Sequence, residues 1–384
     1  MTSQLPELRF KGFSGDWEEK KLGDVSEKSM YGLGASAINY DGQNVYVRIT
    51  DIDDKSRNIK SKSFTSPNVI DPKYELNKDD ILFARTGAST GKSYIHSKFD
   101  KDKSYYFAGF LIKFQINSSS YPQFIFQYTF TSKYKNWVNV MSMRSGQPGI
   151  NSEEYSKLNI YLPLFKEQQK IGTFFKQLDD TIELYQIQLN LLKEQKKGFL
   201  QKMFPKDGEK VPEIRFKGFN DYWEEKKLNE LVHVGTGKSK INDIKEGTFD
   251  ILGSTGIIGK SDNYDYDGEF ILIARVGHYA GKSYKYSGKI KISDNTIFLQ
   301  NVKNKDFIYE CLNKYKLKKL VFGTGQPLIK SSDIKNFKLL LPSKNEQQKI
   351  GAFFKQLDEN IELLENKLND LNKLKKGFLQ KMFV

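Results

Sequence analysis

Two short glycine-rich segments are the places where residue types and spacing first suggest chemistry. Gly87-Ala-Ser-Thr-Gly91-Lys92-Ser93 and Gly277-His-Tyr-Ala-Gly281-Lys282-Ser283 each set a lysine and a serine behind paired glycines. That is the composition of a loop that cradles phosphate with backbone N–H groups. A nucleotide-binding loop of this kind needs four residues between its glycines and a helix directly behind the lysine. Here three intervene, and aromatic, strand-like residues follow. The spacing argues against ATP and leaves two readings: a hairpin that brings lysine and N–H groups to a DNA phosphate, or a plain turn without ligand.

Other catalytic constellations are missing. The histidines are His96, His233 and His278, too scattered for a metal centre or a hydrolytic triad. The single Cys311 excludes a disulfide framework and a multi-cysteine zinc site. No two prolines are adjacent, so the Pro-Pro core of an adenine methyltransferase motif is absent, and Phe322-Gly323-Thr324-Gly325 has the wrong spacing for a methyl-donor loop. No repeated carboxylate pair marks a nuclease. These absences describe a chain that binds, with no catalytic residue and no metal ligand set of its own.

The partner suggested by charge is a polyanion, because 61 Lys+Arg face 47 Asp+Glu for a net +14 spread over the whole chain. Arginine is nevertheless scarce away from the repeated motifs. Between those motifs the first half has Arg48, Arg57 and Arg144 besides Arg85, and the second has none beyond Arg275. Arginine gripping guanine is the commonest base-specific contact, so Arg48 and Arg144 are candidate base readers. The second half must read with Lys, Asn, Gln, Ser or Thr. No run of about 18 apolar residues is present and the start, MTSQLPELRFKGF, lacks the apolar stretch of a secretory signal. With one cysteine, a reducing cytoplasm is the expected compartment.

The elements that must position these residues are written twice. Pro6–Leu22, PELRFKGFSGDWEEKKL, returns as Pro212–Leu228, PEIRFKGFNDYWEEKKL; Leu162–Phe204 returns as Leu341–Phe383, both with EQQKIG-x-FFKQLD and both closing on KKGFLQKMF. Between these anchors the similarity thins, yet ILFARTGASTGKSY (81–94) still matches ILIARVGHYAGKSY (271–284), and Gly146-Gln147-Pro148 matches Gly325-Gln326-Pro327. Two similar frames therefore hold two divergent inserts, the second one shorter. Residues shared by the inserts suit common tasks, phosphate contact or holding the fold: Arg85 with Arg275, Lys92 with Lys282, Gln147 with Gln326.

The repeated EQQKIG segments read as helices. Apolar residues step by four and three through Ile171, Phe175, Leu178, Ile182, Tyr185, Leu189 and Leu192, and again through Ile350, Phe354, Leu357, Ile361, Leu364, Leu368 and Leu371. One break falls where Lys196 occupies the seam. Ser343 with Glu346 spells a capping box, and Pro205 stops the first helix. Helices of this length run about 55 Å, and two apolar seams in one chain can satisfy each other as an antiparallel coiled coil. Short strands are expected at Val45–Ile49, Ile81–Ala84, Phe107–Ile116, Ile271–Ala274 and Thr296–Leu299, with helical stretches at 122–140 and 305–320.

The duplicated opening motif, the inserts closing on Gly-Gln-Pro and the EQQKIG helix together resemble the specificity (S) subunits of type I restriction-modification enzymes, over essentially the whole chain. The resemblance implies an α/β (α+β) architecture with a pseudo-twofold internal repeat. Residues 1–166 would be a first target-recognition domain and 167–204 a central helix; 205–345 would be a second recognition domain and 346–384 a C-terminal helix. Each domain would read one half of a split target in double-stranded DNA, and the coiled coil would set the spacer. Two methyltransferase (M) subunits would dock on this chain and restriction (R) subunits would join. S-adenosylmethionine, ATP and magnesium would be used on those partner chains, giving a complex that methylates adenine and cleaves DNA. A twofold scaffold places half-sites about 34 Å, one helical turn, apart on one face of the duplex. A stand-alone DNA-binding regulator, a methylation-only specificity subunit, a nucleotide-using enzyme and a pure coiled-coil scaffold are the alternatives.

Overall fold

The computed structural model of the chain describes residues 5–60, 64–97, 102–239, 247–315, 317–323 and 325–384. It divides into two compact units, Met1–Ile187 with Asn366–Val384, and Gln188–Glu365. Each unit therefore takes residues from both repeated helices.

In the first unit the chain enters through β1 (Glu18–Lys21), β2 (Ser26–Tyr31), β3 (Ala37–Asn39), β4 (Asn44–Val47) and β5 (Thr65–Pro67). It continues through β6 (Ile81–Ala84), β7 (Ser93–Ile95), β8 (Ser104–Phe107) and β9 (Leu111–Ile116). A sheet in the order β2-β9-β6-β7 is its centre, flanked by the pairs β3-β5 and β4-β8. β6 is buried at every residue, because Ile81, Leu82, Phe83 and Ala84 send alternate side chains into apolar clusters on the two faces of the sheet. Helices α1 (Pro122–Tyr128), α2 (Ser132–Met141) and α3 (Ser152–Ser156) follow, then β10 (Asn159–Leu162), which pairs with β1, and α4 (Phe165–Lys202).

In the second unit β11 (Glu224–Lys227) pairs with the late strand β18 (Lys338–Leu341), as β1 does with β10. Between them lie β12 (His233–Thr236), β13 (Phe249–Gly253), β14 (Gly256–Ser261), β15 (Tyr266–Ala274), β16 (Ser283–Ile292) and β17 (Thr296–Gln300). They form one six-stranded sheet in the order β12-β17-β15-β16-β13-β14. Helices α5 (Lys305–Tyr315) and α6 (Ser331–Lys335) precede β18, and α7 (Lys344–Met382) completes the chain.

Several sequence expectations change here. The strand expected over Phe107–Ile116 is two, since Ala108–Phe110 turns the chain between β8, paired in parallel with β4, and β9 in the central sheet. The Val45–Ile49 strand stops at Val47, because Ile49–Asp51 winds into a 3-10 turn whose Asp51 carboxylate accepts from the Arg48 backbone N–H. The 122–140 helix is broken at Thr131, whose hydroxyl caps α2 by accepting from the Tyr134 N–H. The 305–320 stretch ends its α-helix at Tyr315 and continues as a 3-10 turn over Leu317–Leu320, with Lys316 outside the described residues.

The long helices pair antiparallel within each unit. In the first, Phe174 meets Phe378 at 5.2 Å, Asp179 meets Lys375 at 2.5 Å, and the Lys367 ammonium lies 5.6 Å from the Tyr185 ring. In the second, Lys193 meets Glu365, Lys196 meets Asp358 and Phe199 meets Phe353. Residue numbers rise on α4 as they fall on α7, as antiparallel pairing requires. The expected seam is divided in its duties. Leu178, Ile182, Leu189, Leu357, Ile361 and Leu368 are buried or half-buried along the helices. Ile171 and Phe175 instead complete the globular core of the first unit, and Ile350 and Phe354 that of the second. Among the described residues no helix is long and apolar enough to cross a membrane.

Candidate nucleic-acid interface

The repeated segments account for the frame residue by residue. Arg9 of the opening motif grips Glu167 at the start of α4 with both Nε and a terminal nitrogen at 2.7 Å, and Arg215 grips Glu346 of α7 at 2.7 and 2.8 Å. Both carboxylates are fully buried, and the hydrogen bond that each arginine donates to its glutamate raises that arginine's pKa. Ser343 still caps α7 through the Glu346 N–H at 3.4 Å, but the Glu346 carboxylate faces Arg215, which is why the expected reciprocal box does not close. The next residue is fixed too: the Gln168 amide donates to the Pro163 carbonyl, and Gln347 does the same to Pro342, each at 2.9 Å. Glycine in the same motif allows close approach. A Cβ at Gly172 would lie 2.9 Å from the Phe124 nitrogen of α1, and one at Gly351 would lie 3.0 Å from the Phe307 nitrogen of α5.

The KKGFLQKMF ends complete an exchange. Phe204, at the end of α4, packs in the second unit on Trp223, Phe307 and Phe354 at 5.8, 5.6 and 5.9 Å. Phe383, at the end of α7, packs in the first on Trp17, Phe124 and Phe175 at 6.5, 5.0 and 5.8 Å. The two sockets are the same set of rings, used twice.

On this frame the glycine loops and the Gly-Gln-Pro turns are tied together identically. The Gly87 N–H donates to the Pro148 carbonyl at 2.9 Å and Gly277 to Pro327 at 2.8 Å; the Ile150 N–H returns to Arg85 and Ile329 to Arg275, each at 2.9 Å. Gly91 closes on Ala84 and Gly281 on Ala274. The four glycines have φ between 77° and 86°, the left-handed region that only glycine enters without cost. The N–H groups of Thr90, Gly91 and Lys92 are thus spent within the hairpin and that of Gly87 across the brace. The loop is a brace between two segments, and each of those four donors has a protein carbonyl as its acceptor.

The predicted contact residues fall into four pairs. Lys92 is buried, with Nζ 2.5 Å from Asp54 and 3.2 Å from the Ile52 carbonyl, whereas its counterpart Lys282 is exposed over the Tyr279 ring. The two are matched in sequence but not in surroundings. Arg48 is chelated by Asp51, whose hydrogen bond raises its pKa, and Arg144 is held by Glu154 and by the Met141 and Met143 carbonyls. Both are half-committed to internal partners.

Arg85 and Arg275 do match in place. Each is half-buried in the brace, and each keeps a buried Nε without a partner. The Arg85 guanidinium lies 5.0 Å from Tyr31 and 5.9 Å from Phe110, two exposed rings; that of Arg275 donates to the Asp294 carbonyl. Gln147 and Gln326 are exposed beside the brace. Thr324, in the Phe322–Gly325 segment, lies outside the described residues.

The exposed rings at Tyr31, Phe110, Tyr279 and Phe322, the last with Lys330 4.9 Å over it, escaped the sequence reading. They follow no periodic pattern, and only their position beside a glycine or on a brace segment could have signalled them. Among the described residues no group of three His, Cys, Asp or Glu could hold a metal, and Cys311 is buried with its pKa raised by burial. The chemistry these surfaces can perform is cationic and aromatic contact with a polyanion.

A family model described as type I restriction modification DNA specificity domain matches residues 14–194 and 220–373. The chain is 23% identical over 338 residues to the type I restriction enzyme MjaVIII specificity subunit of Methanocaldococcus jannaschii, covering 79% of this chain and 78% of that one. It is 24% identical to the StySPI specificity subunit of Salmonella potsdam, covering 90% and 83%. Its fold is similar to the crystal structure of a type I restriction-modification S subunit from M. genitalium, with a TM-score of 0.73, 16% identity and 99% of both chains covered.

Proposed function

The chain belongs to the type I restriction modification DNA specificity family and is a specificity subunit of such a system; from that premise we propose that its two inserts read the two halves of a split duplex target. The observation that carries this reading is the double frame. Identical ion pairs, ring sockets and loop braces hold two inserts whose sheets differ, four strands with flanking pairs in one and six strands in the other. A scaffold repeated to the bond and a surface changed outright is what two independent target specificities on one support require.

In this reading Arg85, Arg275, Lys282, Gln147 and Gln326 contact the duplex beside the braces. Arg48 and Arg144 reach bases only by leaving their acid partners, and Lys92 serves the fold of the first insert. The paired helices set the distance between half-targets. Two methyltransferase subunits dock on the repeated frame, restriction subunits join them, and the complex methylates adenine and cleaves DNA. S-adenosylmethionine, ATP and magnesium are used by those chains, none by this one.

The test is methylation mapping in cells that carry the chain with its methyltransferase, compared with a deletion of the chain. A two-part methylated sequence that disappears in the deletion is the expected result. An unchanged methylome would overturn the reading and favour a DNA-binding regulator that acts alone.

A further inference from the structure

The one interruption of each apolar seam is a lysine, Lys196 on α4 and Lys375 on α7, at matching places in the repeat. In the second unit the Lys196 Nζ lies 2.5 Å from Asp358 of α7 and 2.8 Å from Glu310 of α5. In the first, Lys375 lies 2.5 Å from Asp179 of α4 and 4.0 Å from the centre of the Phe130 ring, while Asp179 also accepts from the Gln127 amide of α1 at 2.8 Å. Asp179 and Asp358 are themselves matched residues. Gln127 and Glu310 stand three residues beyond Phe124 and Phe307, the equivalent rings of the two sockets. Each lysine therefore joins three elements: both long helices and the first long-helix-facing helix of an insert.

Such hubs are poor sources of stability. Removing a charge pair from water costs about what the pair returns, and apolar residues of similar volume commonly do as well or better. A polar residue in a coiled-coil seam instead selects one alignment, at some expense in stability. Here the same lysine–aspartate pair stands in both units while its surroundings differ. The second unit adds the buried Glu310 together with Lys285, 3.9 Å from Asp358. The first adds a neutral Gln127 and Arg57, whose guanidinium lies 5.7 Å from the same Phe130 ring.

We propose that Lys196 and Lys375 are positioning residues, which fix the setting of each insert on the helix pair and so confine the complex to one spacer length. The inference rests on the reading that the chain recognises a split target. In the first unit the pair acts through α1, held by the Gln127–Asp179 bond; in the second it acts directly on α5 through Glu310.

The experiment uses the subunit assembled with its methyltransferase and a set of duplexes whose two half-targets are separated by the native spacer or by one base pair more or fewer. The variants are Lys375→Met, and Lys196→Met combined with Glu310→Gln so that no buried carboxylate is stranded. Methylation of the altered spacers, relative to the native one, should rise by about tenfold or more, with native-spacer activity falling much less. Lys375→Gln provides the same readout if a methionine variant does not fold, because it removes the charge and keeps a polar end beside Asp179. Folded variants with the strict spacing of the unaltered complex would overturn the inference. An unaltered complex with no split target overturns the functional reading first, and is told apart by the native duplexes alone.

Discussion

Phe383, the next-to-last residue of the chain, should stabilise the unit that contains the first residues and not the one that immediately precedes it in sequence. It is 7% exposed and shares the first unit's core with Leu379, Met382 and Val384. Its ring contacts Trp17, Phe124 and Phe175. Truncating a buried phenylalanine to alanine costs about 3–5 kcal/mol once the cavity is included, and each ~1.4 kcal/mol is a factor of ten in an opening equilibrium. Phe383→Ala should therefore speed exchange of the slowest amide hydrogens in β6 and β9 by roughly two to three and a half orders of magnitude. Those in β15 and β17 should change much less. Phe204→Ala should do the reverse, acting through Trp223, Phe307 and Phe354. The assay is hydrogen exchange read by mass spectrometry, peptide by peptide. A loss below about tenfold in β6 and β9, or one equal in both units, would refute the exchanged-end packing.

Three further outcomes follow from individual contacts. Arg9→Met strands the fully buried Glu167 carboxylate and should cost about 3–5 kcal/mol in denaturant unfolding, whereas Arg9→Met with Glu167→Met should recover most of it; a double variant no better than the single would contradict the pairing. Gly172→Ala drives a Cβ to 2.7 Å from Tyr121 and should destabilise by about 1–3 kcal/mol. Gly198→Ala, in the same helix with open space around it, should stabilise by about 1 kcal/mol, and thermal unfolding of the two variants separates packing from propensity. The Asp41 carboxylate is held well below its usual range by the Asn44 side chain and by the Asn44 and Gln43 N–H groups. A depressed carboxylate pKa stabilises the fold fully above the unfolded value of about 3.9 and loses that contribution as pH falls below it. Asp41→Asn should thus be less stable than the unaltered chain at pH 7, with the gap closing in acid; a constant gap would remove the carboxylate from the account.

What could be read from the sequence was whatever a periodic or duplicated pattern records. The heptad steps placed both long helices to within two residues at each start, and the strands at Ile81 and Thr296 began where their turn-bounded apolar runs begin. Periodicity could not say what an apolar residue faces. Ile171 and Phe175 have the spacing of a seam but fill a domain core, because α1 crosses the first turns of α4 at Gly172. The candidate contacts were legible as types and not as states. Arg48 and Arg144 look free in a sequence; Asp51 lies three residues from one, and Glu154 comes within reach of the other only when α3 forms. Matched letters do not fix surroundings either: Lys92 is buried against Asp54, while Lys282 is exposed over the Tyr279 ring.

The duplication sorts residues by task more sharply than either half could alone. Every strongly repeated segment now has a mechanical assignment in both units: Arg9 and Arg215 grip buried glutamates, Trp17 and Trp223 line ring sockets, and Phe383 and Phe204 fill them. The glycine loops brace the Gly-Gln-Pro turns, and the seam lysines meet matched aspartates. Little of the repetition is left over for reading a sequence. On the proposed reading, base discrimination comes from what is not repeated, and among the described residues the unmatched exposed groups around the braces include Tyr31, Phe110 and Met143 in one unit and Tyr279, Phe322 and Lys330 in the other. Exchanging these between units should move target preference and leave the frame's stability untouched, because none of them belongs to a core cluster.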